Sequence, residues 1–180
     1  MPQKKSYPGW AKARTAVLDS TVLAVACLAT YLVLTRVLSQ LYFISKSDAL
    51  LGAMWGVIAT IFVVRDSYRR SVSAAVSRMA ATLASFALCL LYLLFLPFHS
   101  WGLAVLIGAS ALAVTLIGRP QDAITAGITT AVVLVVAALS PHDAWRQPIL
   151  RLADTVVGVA IGVAAAWGLR VIRPRIKPGS

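Results

Sequence analysis

Two short segments decide the fold: Arg78-Met79-Ala80-Ala81-Thr82, the first arginine segment, and Arg151-Leu152-Ala153-Asp154-Thr155, the second. Both follow the pattern Arg-x-Ala-x-Thr, both open a long apolar run, and they lie 73 residues apart in a chain of 180. An arginine at the mouth of an apolar segment is costly to keep, so its appearance twice in the same context indicates a duplicated unit. If each unit crosses a membrane an odd number of times, the two arginines enter the bilayer from opposite sides.

Composition assigns the chain to the polytopic membrane proteins. It is 59% hydrophobic and only 13% charged, with a mean hydropathy of +0.83. Soluble domains are closer to half apolar and a quarter charged. Because one helical crossing needs about 20 residues, a chain of this length holds at most about six crossings. We therefore expect no separate soluble domain.

Six apolar runs are separated by charged residues and turn signals. They cover approximately residues 15–38, 49–64, 74–96, 101–117, 122–139 and 149–171. Backbone polar groups in hydrocarbon must be satisfied within the segment, and the strand-like alternation of a barrel does not occur, so each run is predicted to be a helix. The predicted fold class is an all-α membrane protein with six transmembrane helices over 15–171, between a tail at 1–14 and a basic tail at 172–180.

The distribution of basic residues predicts the orientation. With six crossings both termini lie on one side, and twelve basic residues fall on that side: Lys4, Lys5, Lys12, Arg14, Arg65, Arg69, Arg70, Arg119, Arg170, Arg173, Arg175 and Lys177. Only three fall on the other: Arg36, Lys46 and Arg146. Because loops rich in Lys and Arg stay in the cytoplasm, both termini are predicted to be cytoplasmic. The formal net charge of +11 is then explained by span ends and anionic lipid rather than by nucleic acid.

The repeat divides the helical domain into two units of three helices, at about 15–97 and 98–171. Arg78 enters the third helix from the cytoplasm, whereas Arg151 enters the sixth from outside. An odd number of helices per unit makes the two units inverted, related by a pseudo-twofold axis in the membrane plane.

The sixth helix presents a polar seam. Arg151, Asp154 and Thr155 lie three or four residues apart and share one face with Gly158 and Gly162. One interpretation is that the three polar residues line a pathway. The alternative is that Arg151 only extends to the outer membrane interface. The two glycines are interpreted as a small-residue stripe for close helix packing.

Arg78 and Thr82 form the matching stripe on the third helix. An arginine within a span is tolerated through a partner or a watery cavity, so we predict an ion pair with Asp19 of the first helix. By the repeat, Asp154 is predicted near Arg151 or Arg36. These pairs either neutralise buried charge or couple transport to protons.

No group of residues indicates catalysis. Cys27 and Cys89 fall inside apolar runs, where small packing residues are common. The spacings of a metal or haem site, a nucleophile with its base, or a phosphate-binding loop are absent. We expect no enzyme, no cofactor and no metal.

The stretch from Ala53-Met54-Trp55 to Arg78-x-x-x-Thr82, together with 151–158, resembles the fusaric acid resistance and aromatic acid exporter superfamily. The third and sixth helices of those six-helix units begin with Arg-x-x-Gly/acidic-Thr-x-x-Gly. The second arginine segment matches this signature. The first departs from it, with Ala81 and Ser85 where glycine is usual.

The resemblance implies export of small aromatic carboxylic acids across the bacterial inner membrane by a homo-oligomer. Under this hypothesis the substrate-binding residues are Arg78, Thr82, Arg151 and Thr155. Aromatic residues available for the ring of the substrate are Trp55, Phe62, Phe86, Tyr92 and Trp167. Plant malate channels look like distant relatives of this family, so the resemblance gives an anion channel as the first alternative. A membrane scaffold without transport is the second.

Overall fold

The computed structural model describes residues 9–38, 46–64, 67–139 and 144–176, and within these ranges every regular element is helical. The α-helices are α1 (Gly9–Leu32), α2 (Lys46–Val63), α3 (Tyr68–Phe95), α4 (Ser100–Leu116), α5 (Ala123–Leu139) and α6 (Arg146–Ile176). A π-helical stretch, Val33–Leu38, continues α1, and a 3-10 turn, Pro120–Asp122, leads into α5. The all-α prediction is confirmed. Lys4, Lys5, Arg65 and Lys177, which entered the prediction of orientation, lie outside the described residues.

Among the described residues, five helical segments are long and apolar enough to cross a membrane. They are Ala13–Val37, Lys46–Val63, Tyr68–Phe95, Pro120–Leu139 and Arg146–Ile172. The remaining helix, α4, is apolar but has 17 residues. At 1.5 Å per residue it is about 25 Å long, a few ångströms less than the roughly 30 Å hydrocarbon core. The chain is therefore a multi-pass membrane protein.

Local sequence signals explain where several helices begin and end. Pro97 follows the last turn of α3, and the residue before a proline is biased away from helical geometry. At the end of α4, Gly118 adopts a φ of 85°, and the N–H groups of Gly118 and Arg119 bond the carbonyls of Thr115 and Val114 at 3.0 and 3.1 Å. This left-handed glycine cap satisfies carbonyls that the helix end leaves unpaired.

The contacts between helices form a regular set. α6 packs against α2 and α3, and also touches α1 and α5; α3 additionally packs against α5, α2 and α4. α1 rests on α2, and α4 rests on α5. If α1 is exchanged with α4, α2 with α5 and α3 with α6, each of these helix pairs becomes another pair of the set.

A close contact joins α6 to α2 and depends on glycine. A methyl group built at Gly158 would overlap the carbonyl oxygen of Gly56, and one at Gly162 would lie 3.0 Å from Cβ of Val63. The hydroxyl of Thr60 donates to the carbonyl of Gly158 at 3.0 Å. Small residues permit this approach, which brings the face of α2 against the second arginine segment.

Candidate functional site

Arg78 lies deep within the protein. It is the eleventh residue of α3, so about 15 Å of helix separates it from the start of α3 at 1.5 Å per residue. Its side chain is 3% exposed, and that of Thr82, one turn further along the same face, is 1% exposed. The α3 face that carries the first arginine segment therefore points into the protein interior.

Two aromatic rings of α2 hold the guanidinium group of Arg78. The guanidinium carbon lies 4.9 Å from the ring centroid of Trp55 and 5.2 Å from that of Phe62. These rings are seven residues, or two helical turns, apart, which is about 10.5 Å along the helix axis. The guanidinium group is therefore within contact distance of two rings that start from different turns of α2. Contacts of a cation with ring faces stabilise it electrostatically, more so where water is excluded.

The polar edge of Arg78 is not satisfied by the protein. Nε and Nη2 have no hydrogen-bond partner among the described residues, and neither does the hydroxyl of Thr82. Nε–H and one Nη2–H lie in the guanidinium plane and point in the same direction. This pair of donors matches the two oxygens of a carboxylate. Buried polar groups are usually hydrogen-bonded, so the unpartnered donors here leave room for an acceptor from outside the described residues.

Arg151 has a different environment. It is the sixth residue of α6 and 2% exposed, and its Nη1 lies 3.1 Å from Oδ2 of Asp154. Asp48, at the start of α2, interacts with Arg151 electrostatically, and its carboxylate accepts a bond from Gln147 at 3.4 Å. The charge of Arg151 is thus balanced inside the protein by carboxylates.

A gap in α2 accommodates the carboxylate of Asp154. A methyl group built at Gly52 would lie 2.7 and 2.9 Å from the two carboxylate oxygens of Asp154. Any larger residue at position 52 would displace this carboxylate. The absence of a side chain at Gly52 therefore creates the space in which Asp154 faces Arg151.

The two arginine segments meet at Trp55. The indole Nε1 of Trp55 donates to the hydroxyl of Thr155 at 3.0 Å, while the ring contacts Arg78. The hydroxyl of Thr155 in turn donates to the carbonyl of Arg151 at 2.8 Å. Trp55 is 2% exposed. One buried side chain of α2 therefore contacts α3 at the first segment and α6 at the second.

A sequence profile of the family described as fusaric acid resistance protein-like matches residues 28–165. The chain belongs to this family. The match includes both arginine segments and the whole of α2. The family is one of membrane transporters, and membership suggests a role in transport and resistance. The comparisons found no matching curated protein and no matching solved structure.

Of the two predicted ion pairs, the structure forms one. Asp154 is paired with Arg151, which is one of the two arrangements that the sequence predicted. The predicted pair of Asp19 with Arg78 is wrong: within the described residues the partners of Arg78 are Trp55 and Phe62. α1, which carries Asp19, packs on α2 and α6, so an aromatic face of α2 takes the position beside Arg78.

The other aromatic candidates lie elsewhere. Trp167 is 59% exposed on the outside of α6, as expected for a lipid-facing residue. Tyr92 donates to the carbonyl of Pro97 at 3.1 Å at the far end of α3. Within the described ranges, no cluster of three His, Cys, Asp or Glu residues capable of holding a metal ion is found.

Proposed function

We propose that the chain is a transporter that exports small organic acids, aromatic carboxylic acids in particular, across the bacterial inner membrane. The observation that carries this proposal is the edge of Arg78, a buried cation whose Nε and Nη2 have no hydrogen-bond partner among the described residues. Membership of a membrane transporter family supports it. Arg78 is the group that binds the carboxylate of the transported acid.

The neighbours of Arg78 suit an aromatic carboxylate. The Nε and Nη2 donors form two charge-assisted bonds to the carboxylate, and the hydroxyl of Thr82 supplies a third donor one helical turn away. Trp55 and Phe62 contact the guanidinium group and provide an apolar surface next to it. An aromatic ring of the substrate packs favourably on such a surface.

The order of helix packing supports an inverted repeat of α1–α3 and α4–α6. Exchanging the two groups of three helices preserves the set of packed pairs, as a pseudo-twofold axis requires. In this arrangement α4 also crosses the membrane, which brings the number of crossings to six. Local thinning of the bilayer accommodates its 17 residues. Both termini lie in the cytoplasm, so Arg78 is approached from the cytoplasm and Arg151 from outside.

The second arginine segment serves the same pathway from the opposite side. Arg151 and Thr155 are the outer partners of the carboxylate in a cycle that exposes one segment at a time. The bond from Trp55 to Thr155 and the contact of Trp55 with Arg78 give a physical link between the two segments. Movement of α2 relative to α3 or α6 therefore affects both.

Transport by purified protein in liposomes tests the proposal. Vesicles loaded with radiolabelled benzoate, or with acetate for comparison, should release benzoate faster when they contain wild-type protein. Arg78→Gln should abolish the protein-dependent flux because the edge that binds the carboxylate is lost. Arg69→Gln, which removes the same charge from an exposed position of α3, is the matched control and should retain the flux.

Two outcomes would contradict the proposal. Equal benzoate flux with wild type and Arg78→Gln at matched protein density would remove Arg78 from the pathway. Unitary currents carried by benzoate in planar bilayers would identify an anion channel instead, since an exporter turns over too slowly to give them.

A further inference from the structure

We propose that Asp154 is an internal ligand that fills a second anion-binding site at Arg151, so that the protein binds one external carboxylate, at Arg78, until Asp154 moves aside. The ligand class of the second site is the same as that of the first, a carboxylate. The inference rests on the proposed function only in taking Arg78 as the partner of the external acid.

The first step is the comparison of equivalent positions. Asp154 is the fourth residue of the second arginine segment, and the fourth residue of the first is Ala81. The three-residue spacing places position 154 on the same helix face as Arg151, where its carboxylate approaches Nη1 to 3.1 Å. A methyl group at position 81 cannot do this for Arg78. The residue at this one position thus determines whether the segment supplies its own anion.

The second step is that the protein provides a space for a carboxylate beside Arg151. Both residues of the pair are less than a tenth exposed, and the oxygens of Asp154 occupy the room left by Gly52. The space at Gly52 therefore has the size of a carboxylate group and lies against a buried guanidinium.

The third step is that Asp154 uses its site poorly. Although Oδ2 is 3.1 Å from Nη1, the contact lacks the geometry of a hydrogen bond, and Nε of Arg151 has no hydrogen-bond partner among the described residues. A side chain tethered three residues away on the same helix is not free to align both oxygens with the guanidinium edge. A free carboxylate is not restricted in this way and can form the two-bond contact.

Asp48 is the other charged group that acts on Arg151. Its carboxylate is held by Gln147 at the start of α6 and attracts Arg151 electrostatically. Asp48 stays in place when Asp154 is replaced, and its negative charge will weaken the binding of an external anion at the second site. We therefore expect the uncovered site to bind a carboxylate more weakly than Arg78 does, but with the same stoichiometry of one.

Equilibrium binding of radiolabelled benzoate to purified protein in detergent tests the inference. Wild type should bind one benzoate per chain, and Arg78→Gln should bind none. Arg78→Gln combined with Asp154→Ala should bind one radiolabelled formate, the carboxylate that fits the space left by the Asp154 side chain, now at Arg151. Adding Gly52→Ala to this double variant should abolish binding, because the new methyl group fills the place of the carboxylate.

A second measurement covers the case in which the double variant folds poorly. Formate, a carboxylate small enough for the space that Asp154 leaves, should raise the thermal midpoint of the double variant but not that of Arg78→Gln alone; chloride at the same concentration should raise it less. Absence of both formate binding and the formate-induced rise in the thermal midpoint of the double variant would overturn the inference. If Arg78→Gln retains wild-type benzoate binding, the proposed role of Arg78 fails. The inference about Asp154 is still tested in that case, because it depends on the binding that the double variant gains over Arg78→Gln alone.

Discussion

The two arginine segments have the same pattern and nearly the same burial, yet they differ in charge balance. Arg151 has a carboxylate at 3.1 Å on its own helix and a second one near the start of α2. Arg78 has two aromatic rings and, in the described part of the chain, no hydrogen-bond partner for Nε or Nη2. Two carboxylates, Asp154 and Asp48, therefore balance Arg151, and the equivalent of Asp154 in the first segment is Ala81, which supplies no carboxylate to Arg78.

The largest expected effect on stability follows from removing the carboxylate of Asp154 that faces Arg151. Asp154→Asn leaves Arg151 without its nearest carboxylate, and breaking a buried pair by removing one partner destabilises by about 3–5 kcal/mol. We expect a loss of this size in the free energy of unfolding, measured by denaturant titration in mixed micelles.

The control for Asp154→Asn is its combination with Arg151→Gln. The double variant no longer contains the stranded charge, so most of the stability should return. If the single and double variants lose the same stability, the pair does not neutralise Arg151 in the sense described.

The variant Arg78→Lys tests whether the guanidinium edge of Arg78, and not only its charge, binds the acid. Lysine keeps the positive charge but not the Nε and Nη2 edge, so at least one charge-assisted hydrogen bond, worth about 1.5–3 kcal/mol, is lost. The benzoate Kd should rise by about 10- to 150-fold. Arg69→Lys, on the exposed face of the same helix, should leave it unchanged. Wild-type affinity in Arg78→Lys would mean that charge alone, without the guanidinium edge, binds the acid.

The packing that brings α2 to the second segment gives an effect of intermediate size. Gly158→Ala forces a methyl group onto the carbonyl of Gly56, and overpacking of this kind costs about 1–3 kcal/mol. Gly168→Ala, on the same helix with open space around it, should cost nothing and improve helix propensity. Denaturant titration of the two variants checks this, and equal stabilities would show that α2 and α6 are not in close contact.

The smallest effect concerns the residue that both sides share. Trp55→Phe keeps an aromatic ring beside Arg78 but removes the hydrogen bond to Thr155, worth about 0.5–1.5 kcal/mol of stability. Benzoate affinity should change by no more than about threefold. Trp167→Phe, on the exposed face of α6, is the control. A decrease in affinity as large as that of Arg78→Lys would show that the bond to Thr155, and not only the ring, positions Arg78.

Much of the fold could be predicted from local sequence signals. Each of the six apolar runs corresponds to one helical segment, with ends that agree to within about six residues, because apolar length and the breaks near Pro97 and Gly118 are properties of short stretches. The start of α6 was placed at about residue 149 instead of Arg146, since polar residues and a proline begin that helix. Proline is tolerated in the first turn, where its missing N–H has no helical partner.

The candidate site was predictable only in part. Helical spacing correctly places Arg78 with Thr82, and Arg151 with Asp154 and Thr155, because these are contacts within one helix. The partners that come from other helices depend on which helices are neighbours. The depth of a residue in the membrane, which is all that the sequence indicates, does not identify those neighbours. Asp19 was therefore assigned to Arg78 in error, and Trp55 was one aromatic candidate among several until the packing of α2 between α3 and α6 was known.

The most direct measurement is a crystal structure of the protein with 4-bromobenzoate, in which anomalous scattering locates the bromine. The carboxylate is predicted to lie on the Nε and Nη2 edge of Arg78, within hydrogen-bond distance of Thr82, while Asp154 remains beside Arg151. A bromobenzoate bound elsewhere, with Arg78 extended to the lipid headgroups, would contradict the central claim that a buried, unneutralised arginine binds the transported acid.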